Sequence, residues 1–200
     1  MSGDARNFQK YPPILFDEAR RREFVNPDNL IELIAPRNGD RVADFGAGAG
    51  FFAIPLAKAV KPRGRLYAID INPNNLSIIR GKAKLEKVER YVELVEANVE
   101  SGAGLELKAA SLDAVVMSSV LSQFEDKDAV IGQAVKLLKP HGYLVVFEWH
   151  QRDMLLGPAA QARIAKEEVI NRLFKNGWKV SLHKDVDVGF YHYCLIFTKE

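Results

Sequence analysis

The run Arg41-Val-Ala-Asp-Phe-Gly-Ala-Gly-Ala-Gly-Phe51 constrains the fold more than any other stretch, because a second apolar run follows it and ends in Asp70. Val42, Ala43 and Phe45 read as a short buried strand, and Gly46, Gly48 and Gly50 as the turn that leaves it. Glycine stands where backbone must approach a ligand closely or adopt positive φ. Twenty residues beyond Gly50, Leu66-Tyr-Ala-Ile-Asp70 reads as the next strand and closes on a carboxylate. In doubly wound folds, a glycine turn after the first strand and an acid ending the second grip a nucleoside, the acid accepting its ribose hydroxyls. The pair predicts a nucleoside cofactor.

Glycine spacing narrows which one. Dinucleotide binders use G-x-G-x-x-G, so that a helix N-terminus meets the pyrophosphate. Here the third glycine arrives one residue early, and Phe51 fills a place that such folds keep small. Asp44, just before the turn, would repel a pyrophosphate but suits an ammonium or a sulfonium.

The rest of the chain supports one α/β domain. Two hundred residues suffice for a substantial core. With 48% hydrophobic and 27% charged residues, the composition is that of a globular protein. A net charge of +2 gives no electrostatic case for nucleic acid, and the basic run Arg20-Arg21-Arg22 reads as a solvated helix face. No stretch approaches the roughly 20 apolar residues of a membrane span, and no apolar signal region opens the chain. The single cysteine, Cys194, fits a reducing cytoplasm. Asn26-Pro27 and Asn72-Pro73 each read as an N-cap followed by proline at the first helical position. Further helices are expected over 51–60, 127–138 and 165–176, the last stopped by Gly177. Strands are expected over 91–95, 112–118, 143–149, 179–186 and 190–197. The total is about seven strands with crossover helices, a three-layer α/β/α sandwich. Residues 1–25 stand outside this alternation as a helical arm or flap, with Tyr11, Ile14, Leu15 and Phe16 as its apolar contacts.

From about Asn26 onward the chain resembles the small class I S-adenosylmethionine-dependent methyltransferases, in the branch akin to ubiquinone/menaquinone-biosynthesis methyltransferases. The resemblance rests on Val42-Ala-Asp-Phe-Gly-Ala-Gly-Ala-Gly50, Tyr67-Ala-Ile-Asp-Ile-Asn-Pro73, Glu96-Ala-Asn98, Leu112-Asp-Ala-Val-Val-Met-Ser-Ser119, Leu138-Lys-Pro-His-Gly142 and Tyr191-His-Tyr-Cys-Leu-Ile-Phe197. It implies a Rossmann-like, mostly parallel seven-stranded sheet whose last strand runs antiparallel. It also implies S-adenosylmethionine as cofactor, leaving as S-adenosylhomocysteine. Asn98 stands where many relatives carry Asp, and its amide oxygen can still accept from the adenine amino group. His141 replaces a glycine, an exchange expected to be harmless with negative φ. A lone cysteine argues against arsenite methylation, and no Asp/Asn-Pro-Pro-Tyr motif follows Val116.

By that resemblance Gly46, Ala47 and Gly48 admit the methionyl part of the cofactor, and Asp44 meets its ammonium. Asp70 takes the ribose hydroxyls, Ile71 covers adenine beside Asn98 and Val99, and Ser118 and Ser119 line the carboxyl edge. Methyl transfer from a sulfonium needs positioning above all, and a neutral acceptor also needs a base. An antiparallel last strand brings Tyr191, His192 and Tyr193 to the active edge, with His192 on the opposite face from the tyrosines. His192 is the candidate base or substrate orienter and Tyr191 its companion, with Glu148 and His150 as runners-up. His141 and His183 read as structural. The expected activity is methyl transfer to a small molecule. A protein acceptor, or a non-catalytic cofactor-binding subunit, are the alternatives, and oligomeric state stays open.

Overall fold

Val42, Ala43, Asp44 and Phe45 are all buried, so β1 (Arg41–Phe45) runs through a sheet covered on both faces. The structure is a computed structural model and describes residues 21–22, 25–154 and 156–200. The expected arm over 1–25, with Tyr11, Ile14, Leu15 and Phe16, lies outside the described residues except at Arg21, Arg22 and Val25.

Seven strands form one sheet: β1, β2 (Arg65–Asp70), β3 (Val92–Glu96), β4 (Leu112–Ser118), β5 (Leu138–Trp149), β6 (Val180–Val188) and β7 (His192–Lys199). Their order is β3-β2-β1-β4-β5-β7-β6, and β7 runs antiparallel to both β5 and β6 while the other pairings are parallel. One face is covered by α1 (Pro27–Ile34), α2 (Ala53–Val60) and α3 (Pro73–Leu85), where Leu30, Leu56 and Ile79 meet Val42, Val116 and Phe147. On the other, α4 (Lys127–Leu137) and α5 (Lys166–Lys175) set Val130, Ile131, Val169 and Leu173 against Phe45, Met117 and Tyr193. This is the three-layer Rossmann-like sandwich expected. The strand order reverses between β1 and β4, and in such sheets a crevice opens outside the carboxyl ends at that point.

Local chemistry sets the helix starts. Asn26 Oδ1 accepts from the Asp28 N–H at 3.0 Å and Asn72 Oδ1 from the Asn74 N–H at 3.0 Å, each with proline next. Gly177, with φ 69°, ends the last helical segment. Pro55 is the third residue of α2, where no intrahelical N–H is yet needed.

Several boundaries differ from the sequence pattern. A 3-10 turn at Glu89–Tyr91 delays β3 to Val92. β7 begins at His192, so Tyr191 lies in the turn before it. The largest correction is at β5, expected over 143–149 but starting at Leu138, with an irregular register against β4 between Leu112 and Ala114. His141 carries φ 63°, so the condition of a negative φ, under which its exchange for glycine would be harmless, is not met. Gly142 follows it, and a Cβ there would lie 3.0 Å from the Lys139 carbonyl oxygen and 3.1 Å from that of Asp113. The irregularity needs both a left-handed residue and a bare one, and glycine takes the crowded position.

Candidate functional site

The glycine turn is tied to the end of β2 by one carboxylate. Asp70 Oδ2 accepts from the Gly48 N–H at 2.8 Å, while Oδ1 accepts from the Asn72 N–H at 2.8 Å and Asn75 Nδ2 at 3.2 Å. The Ala47 N–H reaches back to the Ile69 carbonyl at 2.9 Å. Gly46, Gly48 and Gly50 have φ of 68°, 52° and 84°. A Cβ on Gly46 would lie 2.3 Å from Val120 Cγ2, and one on Gly50 would meet Ile79 at 2.8 Å. At Gly48, in contrast, a Cβ would find nothing within 4 Å. Two glycines are therefore demanded by packing as well as by φ, and the third faces open space.

Asp44 lies on the same face of the sheet as Val42, at 2% exposure. Burial, then the charge of Asp70, pushes its carboxyl up to about 7, against a smaller opposing pull from Arg21. A cation arriving there would reverse that balance. Arg21 itself sits 4.3 Å from the Phe51 ring centroid. Ile71, next to Asp70, is 59% exposed, a large apolar side chain left open at a strand end.

Asn98 Oδ1 accepts from the Glu100 and Ser101 N–H groups at 2.9 and 3.1 Å, so its oxygen braces its own turn. Val99 is buried in the core on the α4 side. Ser118 ends β4 and Ser119 follows it, and the Oγ of each is buried without a hydrogen-bond partner. Ser119 has φ 53°; its N–H donates to the Phe147 carbonyl at 2.7 Å, and its carbonyl accepts from Gln123 Nε2 at 2.7 Å.

The β5 and β7 ends bring the acid–base candidates together. His192 pairs with Trp149 across the two strands, 1% exposed. Its ring stacks on Phe147 at 4.8 Å and lies 4.0 Å from the Trp149 ring. Burial first, then Arg21, His150 and Arg163, drive its pKa down to about 3, and Nδ1 has no hydrogen-bond partner. Tyr191 sits edge-on to Phe190 and Trp149, and its carbonyl accepts from the His150 N–H at 2.9 Å. Tyr193 turns to the other face, where its hydroxyl donates to the Ile164 carbonyl at 3.0 Å. His150 lies 3.2 Å from Asp187, and its pKa is lowered chiefly by burial.

Sequence reasoning missed two supports. Arg163 is buried and donates to the carbonyls of Pro158 (2.7 Å), His150 (3.1 Å), Arg152 (2.6 Å) and Leu156 (3.1 Å). Val120 closes on Gly46. Neither carries a sequence signature, since carbonyl partners exist at every residue and a valine after a strand is commonplace.

Comparison with known proteins fits this geometry. A family model described as a methyltransferase domain matches residues 36–186, and the chain belongs to that family. Membership in that family implies S-adenosylmethionine as the methyl donor. The ubiquinone/menaquinone biosynthesis C-methyltransferases of Pseudomonas putida strain F1 and Pasteurella multocida strain Pm70 are each 32% identical over 119 residues, 60% of this chain. The chain covers 45% and 43% of those relatives, under half their length. A methyltransferase structure from Aquifex aeolicus superposes with a TM-score of 0.82 at 21% identity, covering 98% of this chain and 99% of that one. The cyclase SpnF superposes with a TM-score of 0.73 at 18% identity, covering 91% and 82%. The same scaffold thus carries different chemistries.

The residues present suit the methyltransferase cofactor. Open space at Gly48, an exposed Ile71, two buried unpartnered serine hydroxyls and a buried carboxylate are what a nucleoside bearing an ammonium would use. Among the described residues, no helix is long and apolar enough to cross a membrane.

Proposed function

We propose that this domain methylates a small-molecule acceptor in the cytoplasm, with the cofactor held along the carboxyl ends of β1, β2 and β4. The observation that carries the reading is the Asp70 carboxylate, which holds Gly48 and Asn72 in place beside the exposed Ile71. Three of the four carboxylate lone pairs already accept from Gly48, Asn72 and Asn75, so one ribose hydroxyl adds at Oδ2 without breaking a bond and a second takes the place of the long Asn75 amide contact at Oδ1.

In this reading Gly46, Ala47 and Gly48 line the approach, and Asp44 pairs with the ammonium once ionised. Ile71 lies on the adenine, with Asn98 and Val99 at its far edge, and Ser118 and Ser119 supply the unpartnered hydroxyls. When bound, the cofactor supplies an already activated methyl group on a sulfonium. The chain's own task is orientation and exclusion of water. Tyr191 and His192 stand at the acceptor side. With a pKa near 3, His192 is neutral and a weak base, and that supports orienting the acceptor through Nδ1 over removing its proton. The aromatic surroundings of Phe147, Trp149 and Tyr191 favour an apolar or aromatic acceptor over a charged one. The curated relatives are named for C-methylation in quinone biosynthesis, which also favours a small molecule. The buried Cys194 fits a reducing compartment.

The test is transfer of labelled methyl from S-adenosylmethionine into source-organism extract, split into acid-precipitable and soluble fractions, with Asp70→Ala as control. Soluble label that falls at least about tenfold in Asp70→Ala is expected, since a bidentate charge-assisted acceptor is lost. Label confined to the precipitate would replace the small-molecule reading with a protein acceptor. Cofactor binding with no label in either fraction would leave a non-catalytic subunit.

A further inference from the structure

Glu148, the last residue but one of β5, carries a carboxylate at 0% exposure that the methyl-transfer reading does not use. Such a group is costly to bury unless it does something for its neighbours. Its Oε1 accepts from the Leu121 N–H at 2.7 Å and the Ser122 N–H at 3.4 Å, while Oε2 has no hydrogen-bond partner. Leu121 and Ser122 open the 3-10 turn Leu121–Gln123 that follows β4. The residue just before them, Val120, puts Cγ2 where a Cβ on Gly46 would be, 2.3 Å away. One unbroken line of contacts thus runs from Glu148 through the turn after β4 to the glycine turn after β1.

We propose that Glu148 is a positioning residue: by holding the Leu121 and Ser122 N–H groups it seats Val120 on Gly46 and so sets the shape of the glycine turn that receives the cofactor. It acts from the opposite face of the sheet to Asp44, beside Tyr193, with which it is paired across β5 and β7. That position removes it from the acceptor and makes its effect indirect. Ser118 and Ser119 lie just ahead of Val120 in the chain, so the segment that Glu148 anchors continues directly from the two unpartnered serine hydroxyls. A carboxylate suits the task because one oxygen can take two N–H groups, whereas an apolar side chain leaves both without a partner.

The inference rests on the cofactor reading above, and its test separates the two. S-adenosylhomocysteine affinity is measured at pH 8 by calorimetry for the wild type, Glu148→Gln and Glu148→Leu. Amide exchange of Leu121 and Ser122 is read in the same samples against Val145 and Val146 in β5. Glu148→Leu is expected to bind at least about tenfold more weakly, because displacement of a supporting turn costs that much or more. Glu148→Gln keeps an acceptor oxygen and should stay within about threefold of the wild type, with Leu121 exchanging about five- to tenfold faster for want of the charge. A merely structural carboxylate would lower affinity only through unfolding, whereas here Glu148→Leu weakens binding at temperatures where the variant is still fully folded. Glu148→Leu binding within twofold of the wild type, with Leu121 still protected, overturns the proposal. If Glu148→Leu does not fold, unchanged Leu121 exchange in Glu148→Gln overturns it instead. A wild type that fails to bind S-adenosylhomocysteine overturns the cofactor reading, whatever the variants do.

Discussion

Asp44, proposed above as the ammonium partner, is a carboxyl whose charge is withheld until something favours it. Burial and the neighbouring Asp70 carry its pKa to about 7, so it is largely neutral in mildly acidic solution and ionised above neutrality. An ammonium placed against it favours the ionised form, and binding therefore releases a proton below that pKa. S-adenosylhomocysteine affinity should rise with pH by up to about tenfold per pH unit between roughly pH 5 and 7 and level off above. Titration calorimetry in two buffers of different ionisation enthalpy reads both the affinity and the proton. Asp44→Asn should bind about 10- to 100-fold more weakly at pH 8 and show no pH slope, and a slope unchanged from the wild type would exclude Asp44 as the ammonium partner.

Elements differ in how far their contacts reach, and that decides what the sequence disclosed. The glycine turn was legible because positive φ is a local demand, and Asp70 because a strand-end acid has few other uses. The φ of 63° at His141 was not legible, because that demand arises from the irregular pairing of β5 with β4, which no residue at 141 announces. The segment after β5 was equally opaque. It is organised around Arg163, whose partners are four backbone carbonyls spread over residues 150–158. Arg163→Met keeps a comparable stem but removes every donor. It should lower stability by about 2–4 kcal/mol, since hydrogen bonds to a charged group are lost and buried carbonyls are left to find water. Hydrogen-exchange mass spectrometry should place the increase over residues 150–163 and leave β1, β2 and β4 protected. A uniform increase across the sheet would mean that Arg163 supports the whole fold and not one segment.

For the whole molecule, the antiparallel β7 is what brings acid–base groups to the mouth of a parallel sheet, and it does so by burying them. His192 reaches the carboxyl edge only because β7 reverses direction, which the family resemblance implied. Its burial was hidden, because it depends on Phe147 and Trp149 two strand positions apart on the neighbouring strand. The outcome is a native state with two carboxyls raised to about 7, Asp44 and Glu148, and one imidazole lowered to about 3. Their linkage to stability has opposite signs. Each carboxyl is protonated in the folded state at pH values where the unfolded chain has already released the proton, so stability falls as pH rises from its unfolded value towards about 7. His192 is neutral in the folded state where the unfolded chain is protonated, so its contribution rises with pH from about 3 to 6.5, and His150, also lowered, acts in the same direction. Two falling contributions offset the rising ones, and the cofactor-free wild type should hold level or lose stability between roughly pH 5 and 7.5. Asp44→Asn with Glu148→Gln removes the falling contributions, which lie on opposite faces of the sheet and so add. In that double variant stability should climb from about pH 5 to 6.5 and then stay flat, ending above the wild type by several kcal/mol at pH 8, on the order of 1.4 kcal/mol for each tenfold change in proton affinity that the substitutions remove. At about 2–4 °C per kcal/mol for a chain of this size, the gain at pH 8 is read readily by scanning calorimetry. A wild-type melting temperature that climbs with pH as steeply as the double variant's would show that Asp44 and Glu148 are charged throughout, and would remove the proton release expected when an ammonium binds at Asp44.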